Sequence, residues 1–268
     1  MIGRDYKKIC MDITGVTKSV RSFILNERLG FQSSSVMRKG HNDLVSYVDR
    51  NAEEKIVEQL KKIIPGSGFI TEEKTVEEAG NEFTWIIDPL DGTTNFIHGM
   101  PCFCISIGLL HDKKLVAGVV HELNFDECFY AWKNGGAYLN AQPIRVSETP
   151  VLSDSLMATG FPYHNYERMK PYMEIFDHCM HHTHGLRRLG SAAADLAYVA
   201  CGRFDGFYEY GLNSWDVAGG AFIVQEAGGT VTDFTGGDNF IFGSEIVATN
   251  NRIAWEFMKV VKEKFANG

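Results

Sequence analysis

Ile9, Ile13, Val16, Val20, Phe23 and Ile24 recur at three- to four-residue steps and predict a helix over residues 5–28, ended by Gly30. Val45, Val48, Ala52, Ile56, Leu60 and Ile63 repeat that pattern, so 43–64 reads as a second helix, stopped by Pro65-Gly66. The period then changes. Short apolar runs at 68–71, 83–87, 102–109, 115–121 and 127–132, bounded by turn residues, predict strands. Gly135, Gly136, Asn140 and Pro150 mark 135–150 as a seam between two lobes. Beyond it the pattern predicts a strand near 155–159, helices near 167–181 and 190–201, and a strand at 205–209. A helix at 216–227, short strands at 229–233 and 245–249, and a final helix at 251–265 follow. Helices and a strand meander, followed by alternating helix and strand, predict a layered α/β (α+β) architecture with helix-covered sheets. The length suits one domain over residues 1–268, with lobes of about 1–140 and 141–268.

The 268 residues, 44% hydrophobic and 22% charged, can bury a large core without staples. A net charge of −8, from 26 basic and 34 acidic residues, disfavours nucleic-acid binding and would repel an anionic substrate unless cations are held locally. The six cysteines (Cys10, Cys102, Cys104, Cys128, Cys179 and Cys201) form no CxxC pair and sit among apolar residues. They read as reduced, buried thiols of a cytoplasmic protein. Cys102 and Cys104, two apart on a predicted strand, would point the same way. The opening stretch lacks the apolar run of a signal peptide, and the longest apolar run, 101–110, is far below the ~20 residues of a membrane helix. No membrane partner is expected.

Against this background one segment carries chemistry: Trp85-Ile86-Ile87-Asp88-Pro89-Leu90-Asp91-Gly92-Thr93-Thr94-Asn95. Asp-Pro and Asp-Gly are ordinary surface-turn dipeptides. Here, however, the preceding strand is apolar on both faces, so the turn emerges from the core. Two carboxylates held close repel unless a cation lies between them, and Gly92-Thr93-Thr94 offers backbone N–H groups suited to phosphate oxygens. Glu72-Glu73, with Glu77, Glu78 and Glu82 nearby, reads as a second carboxylate pair or as a solvated acidic loop. Asp216, in Asn213-Ser214-Trp215-Asp216-Val217-Ala218-Gly219-Gly220, reads as a ligand or as a first-turn acid of a helix capped by Ser214 or Asn213. Asp49 lies near the apolar face of the second helix, where a buried polar contact is the simpler reading. Oxygen-only candidates suit a hard divalent cation such as Mg²⁺. Zinc, EF-hand, P-loop, nucleophile-elbow and dinucleotide patterns are missing. His181-His182-Thr183-His184 reads as an exposed loop.

WIIDPLDGTTN with FIHGMP, and WDVAGG with Glu226-Ala227-Gly228-Gly229, together resemble the inositol monophosphatase family of Mg²⁺-dependent, lithium-sensitive phosphatases. ITEE at 70–73, NDLVSYVD at 42–49 and Leu189-Gly190-Ser191-Ala192-Ala193 match in the same order, so the resemblance spans nearly the whole chain. It implies an αβαβα sandwich of the inositol monophosphatase and fructose-1,6-bisphosphatase type, and a homodimer. Glu72, Asp88, the Leu90 carbonyl and Asp91 resemble one metal site. Asp88, Asp91 and Asp216 resemble a second, and Lys39-Gly40 resembles a loop completing a third, for two or three Mg²⁺ per site. Thr93 and Asp49, with Glu72, resemble the groups that activate and orient the attacking water. Gly92, Thr93 and Thr94 resemble a phosphate cradle. Gly190, Ser191, Ala192, Glu209 and Asp216 resemble the substrate contacts. The implied activity is hydrolysis of myo-inositol-1-phosphate to inositol and phosphate. The alternatives are fructose-1,6-bisphosphatase, histidinol-phosphate or 3′-phosphonucleotide phosphatase activity on the same metal core, or a regulatory binding role in RNA metabolism.

Overall fold

A computed structural model describes residues 5–30, 36–38, 44–76, 82–163 and 165–266. Helix α1 (Tyr6–Gly30) buries the predicted stripe of Ile9, Ile13, Val16, Val20 and Ile24. The second helix starts later than its periodicity suggests. Leu44–Ser46 (β2) pairs antiparallel with Val36–Arg38 (β1), and α2 begins only at Tyr47 and runs to Ile63. Leu44 and Val45 suit either period, and pairing with β1 decides for strand. The expected loop at Lys39-Gly40 lies outside the described residues, as do Glu77 and Glu78.

Strands β3 (Gly68–Thr71), β4 (Phe83–Asp91), β5 (Cys104–His111), β6 (Lys114–Glu122), β7 (Glu127–Trp132), β8 (Ala137–Leu139) and β9 (Gln142–Ile144) form one sheet in that order. β3 and β4 run parallel, and the remaining neighbours run antiparallel. Part of the expected seam is therefore sheet: Asn140 and Ala141, at φ 45 and 69, form a two-residue hairpin turn between β8 and β9. A short helix, α3 (Thr93–Ile97), follows β4. The second sheet has the order β11-β10-β12-β14-β13. Its strands are β10 (Leu156–Thr159), β11 (Gly185–Arg187), β12 (Gly206–Tyr210), β13 (Thr230–Thr232) and β14 (Glu245–Thr249). Helices α4 (Met169–His182), α5 (Ala192–Ala200), α6 (Ser214–Glu226) and α7 (Ala254–Ala266) complete the chain.

The layers run α1/α2, first sheet, α5/α6, second sheet, α4/α7. This is the αβαβα sandwich, with an apolar cluster filling the space under each helix layer. Two local expectations change. Cys102 precedes β5 with a left-handed φ of 72 and so is not on the strand with Cys104. His181 and His182 lie in the last turn of α4, although both are exposed as expected. No cysteine among the described residues forms a disulfide, and all but the partly exposed Cys201 are buried. No described helix is long and apolar enough to cross a membrane.

Helix α6 decides where the site forms. It lies on β5 and β6 at backbone distance because glycines face each other. A Cβ on Gly118 would come within 2.5 Å of the Gly219 carbonyl oxygen, and one on Gly219 within 2.9 Å of Ser106 Oγ. On its other side, a Cβ on Gly220 would meet Leu196 of α5 at 2.6 Å. Gly118→Ala is therefore expected to lose about 2–3 kcal/mol of stability through overpacking against backbone that cannot yield. Denaturant unfolding measures this, and a loss below 0.5 kcal/mol, roughly the ordinary surface value, would show that the contact is slack.

Candidate active site

Residues three apart on a regular strand point to opposite faces. Asp88 and Asp91 nevertheless face one cleft, because β4 carries an irregularity between them. Asp88 pairs with Ser106 and Asp91 with Cys104, so three steps on β4 match two on β5. Pro89, which has no N–H for the ladder, sits within the bulge. The chain then turns through Gly92 at φ 92, where a Cβ would lie 2.9 Å from the Cys102 carbonyl oxygen. Only glycine tolerates both the conformation and the approach.

Asp216 reaches the same point from the first turn of α6. Its Oδ2 accepts the Asn213 N–H at 2.6 Å, so it also caps the helix. One oxygen from each of Asp88, Asp91 and Asp216 lies within 4.8 Å of the others. At that spacing each pair of ionised carboxylates repels by roughly 3 kcal/mol at a surface-like dielectric. Burial, then the charges of Glu72, Asp91 and Asp216, hold the Asp88 carboxyl well above the usual range. Burial lifts Asp91 to about 6, against the Ser191 hydroxyl and the Ala193 N–H, which both donate to its Oδ2 at 2.7 Å. Burial and then Asp91 lift Asp216 to about 7. This cluster of oxygen donors, held close against its own repulsion, fits a hard divalent cation.

The other expected residues gather around it. Glu72 lines the cleft just after β3 but is not among the three carboxylates that converge. Thr93 Oγ1 donates to Asp49 Oδ1 at 2.8 Å and lies 3.0 Å from the Leu90 carbonyl oxygen. Asp49 is thus buried at the start of α2 with its acceptor aimed at Thr93. Thr94, Gly190, Ser191 and Ala192 line the cleft, with Ser191 capping α5. Glu209 enters from β12 and is lifted to about 8 by burial, then by Asp216. The cleft encloses about 900 Å³, including its open mouth.

Several residues that build the site escaped the sequence reading. Buried Glu53 on α2 accepts hydrogen bonds from the Glu73 and Thr75 N–H groups at 2.8 Å and from Thr75 Oγ1 at 2.7 Å. It therefore orders the segment presenting Glu72, which had been open to reading as a solvated loop. Its signal was a glutamate at the apolar face of an amphipathic helix. Asn95 Nδ2 donates to the carbonyls of Cys102 at 2.7 Å and Leu189 at 2.8 Å, tying α3 to the strand-to-helix segment before α5. Asp195, Arg188 and Gly160 also line the cleft. Asp195 was detectable as a lone charge in the apolar run AAADLAYVA.

A sandwich whose bulged strand and central helix converge three aspartates on a hydroxyl–carboxylate pair defines a class with an acidic cleft suited to a cation. The model for the inositol monophosphatase family matches residues 13–266, and the chain belongs to that family. An inositol-1-monophosphatase from Mesorhizobium japonicum is 42% identical over 233 residues, covering 87% of this chain and 88% of its own. The Nus factor SuhB of Escherichia coli K12 is 40% identical over 231 residues, covering 86% of each. The crystal structure of the extragenic suppressor protein suhB from Bartonella henselae superposes with a TM-score of 0.90 at 38% identity, covering 96% of this chain and 99% of that one.

Two outcomes follow from the electrostatics. Asp91 and Asp216 bind protons more readily when folded than when unfolded, near the usual 3.8. Their contribution to stability is complete below 3.8 and is lost as pH rises through about 6 and about 7. In chelator the melting temperature should therefore fall between about pH 4 and pH 7, the span from the usual carboxylate value to those two values. Asp216→Asn keeps an oxygen for the Asn213 N–H while removing a charge. It should raise the melting temperature in chelator and abolish the further rise on adding Mg²⁺; a lowered chelator melting temperature would contradict the repulsion argument. Separately, Glu53→Ala strands buried donors. It should cost on the order of 3 kcal/mol and weaken Mg²⁺ binding, measured by calorimetry; unchanged affinity would mean that Glu72 is placed without Glu53.

Proposed function

We propose that this protein is a Mg²⁺-dependent phosphomonoesterase that hydrolyses inositol monophosphates and similar polyol phosphates. The observation carrying this reading is the convergence of Asp88, Asp91 and Asp216 beside the Thr93–Asp49 hydrogen bond, in a chain of this family. Asp88, Asp91 and Asp216, with Glu72 and the Leu90 carbonyl, would hold the cations. When bound, these would neutralise the phosphate and the departing oxygen and make water a better nucleophile. Without them the acidic cleft would reject a phosphate dianion.

The chain's own groups position the reactants. Thr93 gives its proton to Asp49, so the lone pairs of Oγ1 are left to accept a hydrogen bond from the attacking water. Asp49, buried and aimed at Oγ1, is the terminal acceptor of that proton relay. The Thr93 and Thr94 N–H groups, in the first turn of α3, have no preceding helical carbonyl to serve them and suit phosphate oxygens. Glu209 receives hydroxyls of the alcohol moiety. No covalent nucleophile is needed, because phosphoryl transfer is mostly positioning and charge neutralisation. The shared α5/α6 layer supports reading residues 1–268 as one domain; the homodimer is what the family resemblance implies, and the cytoplasmic location follows the reading of the cysteines as reduced thiols.

Phosphate release from inositol-1-phosphate should vanish in EDTA, return with Mg²⁺ and fall in lithium, which is close to Mg²⁺ in size but carries half its charge. Thr93→Val should lower kcat by roughly 10²-fold or more with the fold intact. Activity persisting in chelator would sink this reading. The SuhB names favour a second one, a regulatory role resembling that of a Nus factor. Inactivity on inositol, fructose, histidinol and nucleotide phosphates, with co-purifying transcription proteins, would favour it.

A further inference from the structure

Two charged residues in the cleft have no part in the arrangement above. Asp195 stands in the first turn of α5, surrounded by alanine, leucine and valine, and is 1% exposed. It lines the cleft, yet its Oδ1 is buried with no hydrogen-bond partner. Leaving a carboxylate oxygen in that state costs stability, and native structures rarely carry one without reason. Arg188 is the one cation among the described lining residues. Its guanidinium donates to Tyr163 Oη at 3.3 Å and lies 6.0 Å from the Phe161 ring centroid. It does not satisfy Asp195 Oδ1, and burial holds the Asp195 carboxyl well above the usual range, with the Arg188 charge opposing only part of that rise.

Glu209 is a second buried acceptor lining the cleft. After burial, its charge is the largest influence on Asp195. Its carboxylate occupies the space beside Gly160, where a Cβ would come within 2.0 Å of it. β12, α5 and the segment after β11 thus present two carboxyl groups and one guanidinium to the cleft. Arg188, whose guanidinium is engaged with Tyr163, is the one cation among the described lining residues that could receive a second phosphate. Hydroxyl groups, which donate without carrying charge, fit both acceptors. A substrate lacking them would leave Asp195 orphaned as it is now, and a site built to hydrogen-bond rejects such analogues strongly.

We propose that Asp195 is a specificity-determining residue: its Oδ1 accepts a hydrogen bond from a substrate hydroxyl close to the one taken by Glu209, so the cleft selects phosphate monoesters of uncharged polyols with at least two free hydroxyls. This rests on the phosphomonoesterase reading above.

The test compares the full-length wild type, Asp195→Ala and Asp195→Asn, each saturated with Mg²⁺, on inositol-1-phosphate, its deoxy analogues and p-nitrophenyl phosphate. Asp195→Ala should raise KM for inositol-1-phosphate roughly ten-fold, as the loss of one hydrogen bond to a buried acceptor predicts, with kcat within about two-fold. Asp195→Asn, which keeps a neutral acceptor, should show a smaller rise. Kinetics on p-nitrophenyl phosphate should be the same in all three proteins. One deoxy analogue should bind worse to the wild type yet be indifferent to Asp195→Ala, identifying the hydroxyl. Equal losses on inositol and aryl phosphates, with a lowered melting temperature, would make Asp195 a support of α5 and overturn the proposal. So would a deoxy series with the same penalties in wild type and variant. A wild type that hydrolyses no phosphate ester would overturn the phosphomonoesterase reading first, and this proposal with it.

Discussion

The contact of α6 with the first sheet, glycine against glycine, is the constraint on which the site depends. Asp216 sits in the first turn of that helix, and Asp88 and Asp91 sit at the end of the strand beside β5. Backbone-to-backbone packing at Gly118 and Gly219 leaves no compressible side chain between the two elements. The separation of the carboxylates is therefore set by the rigid interior. This matters because the carboxylates would move apart if they could: their burial and mutual repulsion oppose the arrangement. The core supplies the free energy that holds them together, and a bound cation would convert that opposition into affinity.

The same logic explains the density of small and polar residues around α5. Ser191 and the Ala193 N–H both donate to Asp91, and Ser191 also caps α5 through the Ala194 N–H at 3.2 Å. Asn95 fastens α3 to the carbonyl of Leu189 in the segment leading into α5. One aspartate of the first sheet is thereby held by the helix layer between the sheets, and the geometry survives only if both lobes keep their relation.

Most of the long elements were legible from the sequence because their periodicity reflects burial on one side. The apolar stripe of α1, the meander of β5 to β7 and the order of the second half all follow from it. What was not legible depends on partners distant in the chain. Leu44-Val45 suited a helix until β1 was available to pair. The bulge at Pro89-Leu90 was hidden because spacing alone puts Asp88 and Asp91 on opposite faces of a strand, and only the register against β5 turns them to one side. Asp216 was open to reading as a cap or as a ligand. The structure gives it the cap and the convergent position together, since one carboxylate has oxygens for both. Glu53 and Asp195 carry no local signal beyond a charge within an apolar stretch, and their surroundings are loops and clefts that no local pattern encodes.

The cleft divides between the two sheets. The phosphate-facing groups come from the β4–α3 turn, anchored in the first sheet, whereas Glu209 comes from β12 of the second and Asp195 from α5, which packs on it. Only Asp216, carried on α6, belongs to both. Substitutions on the second sheet can therefore reshape the alcohol-binding wall without moving Asp88, Asp91 or Thr93. A fold organised this way can keep one hydrolytic centre while its substrate range changes. That independence has a limit at Glu209, whose charge acts on Asp216. The same holds at Arg188 and Asp195, whose charges act with that of Asp91, so a change at any of the three alters the field at the converging carboxylates.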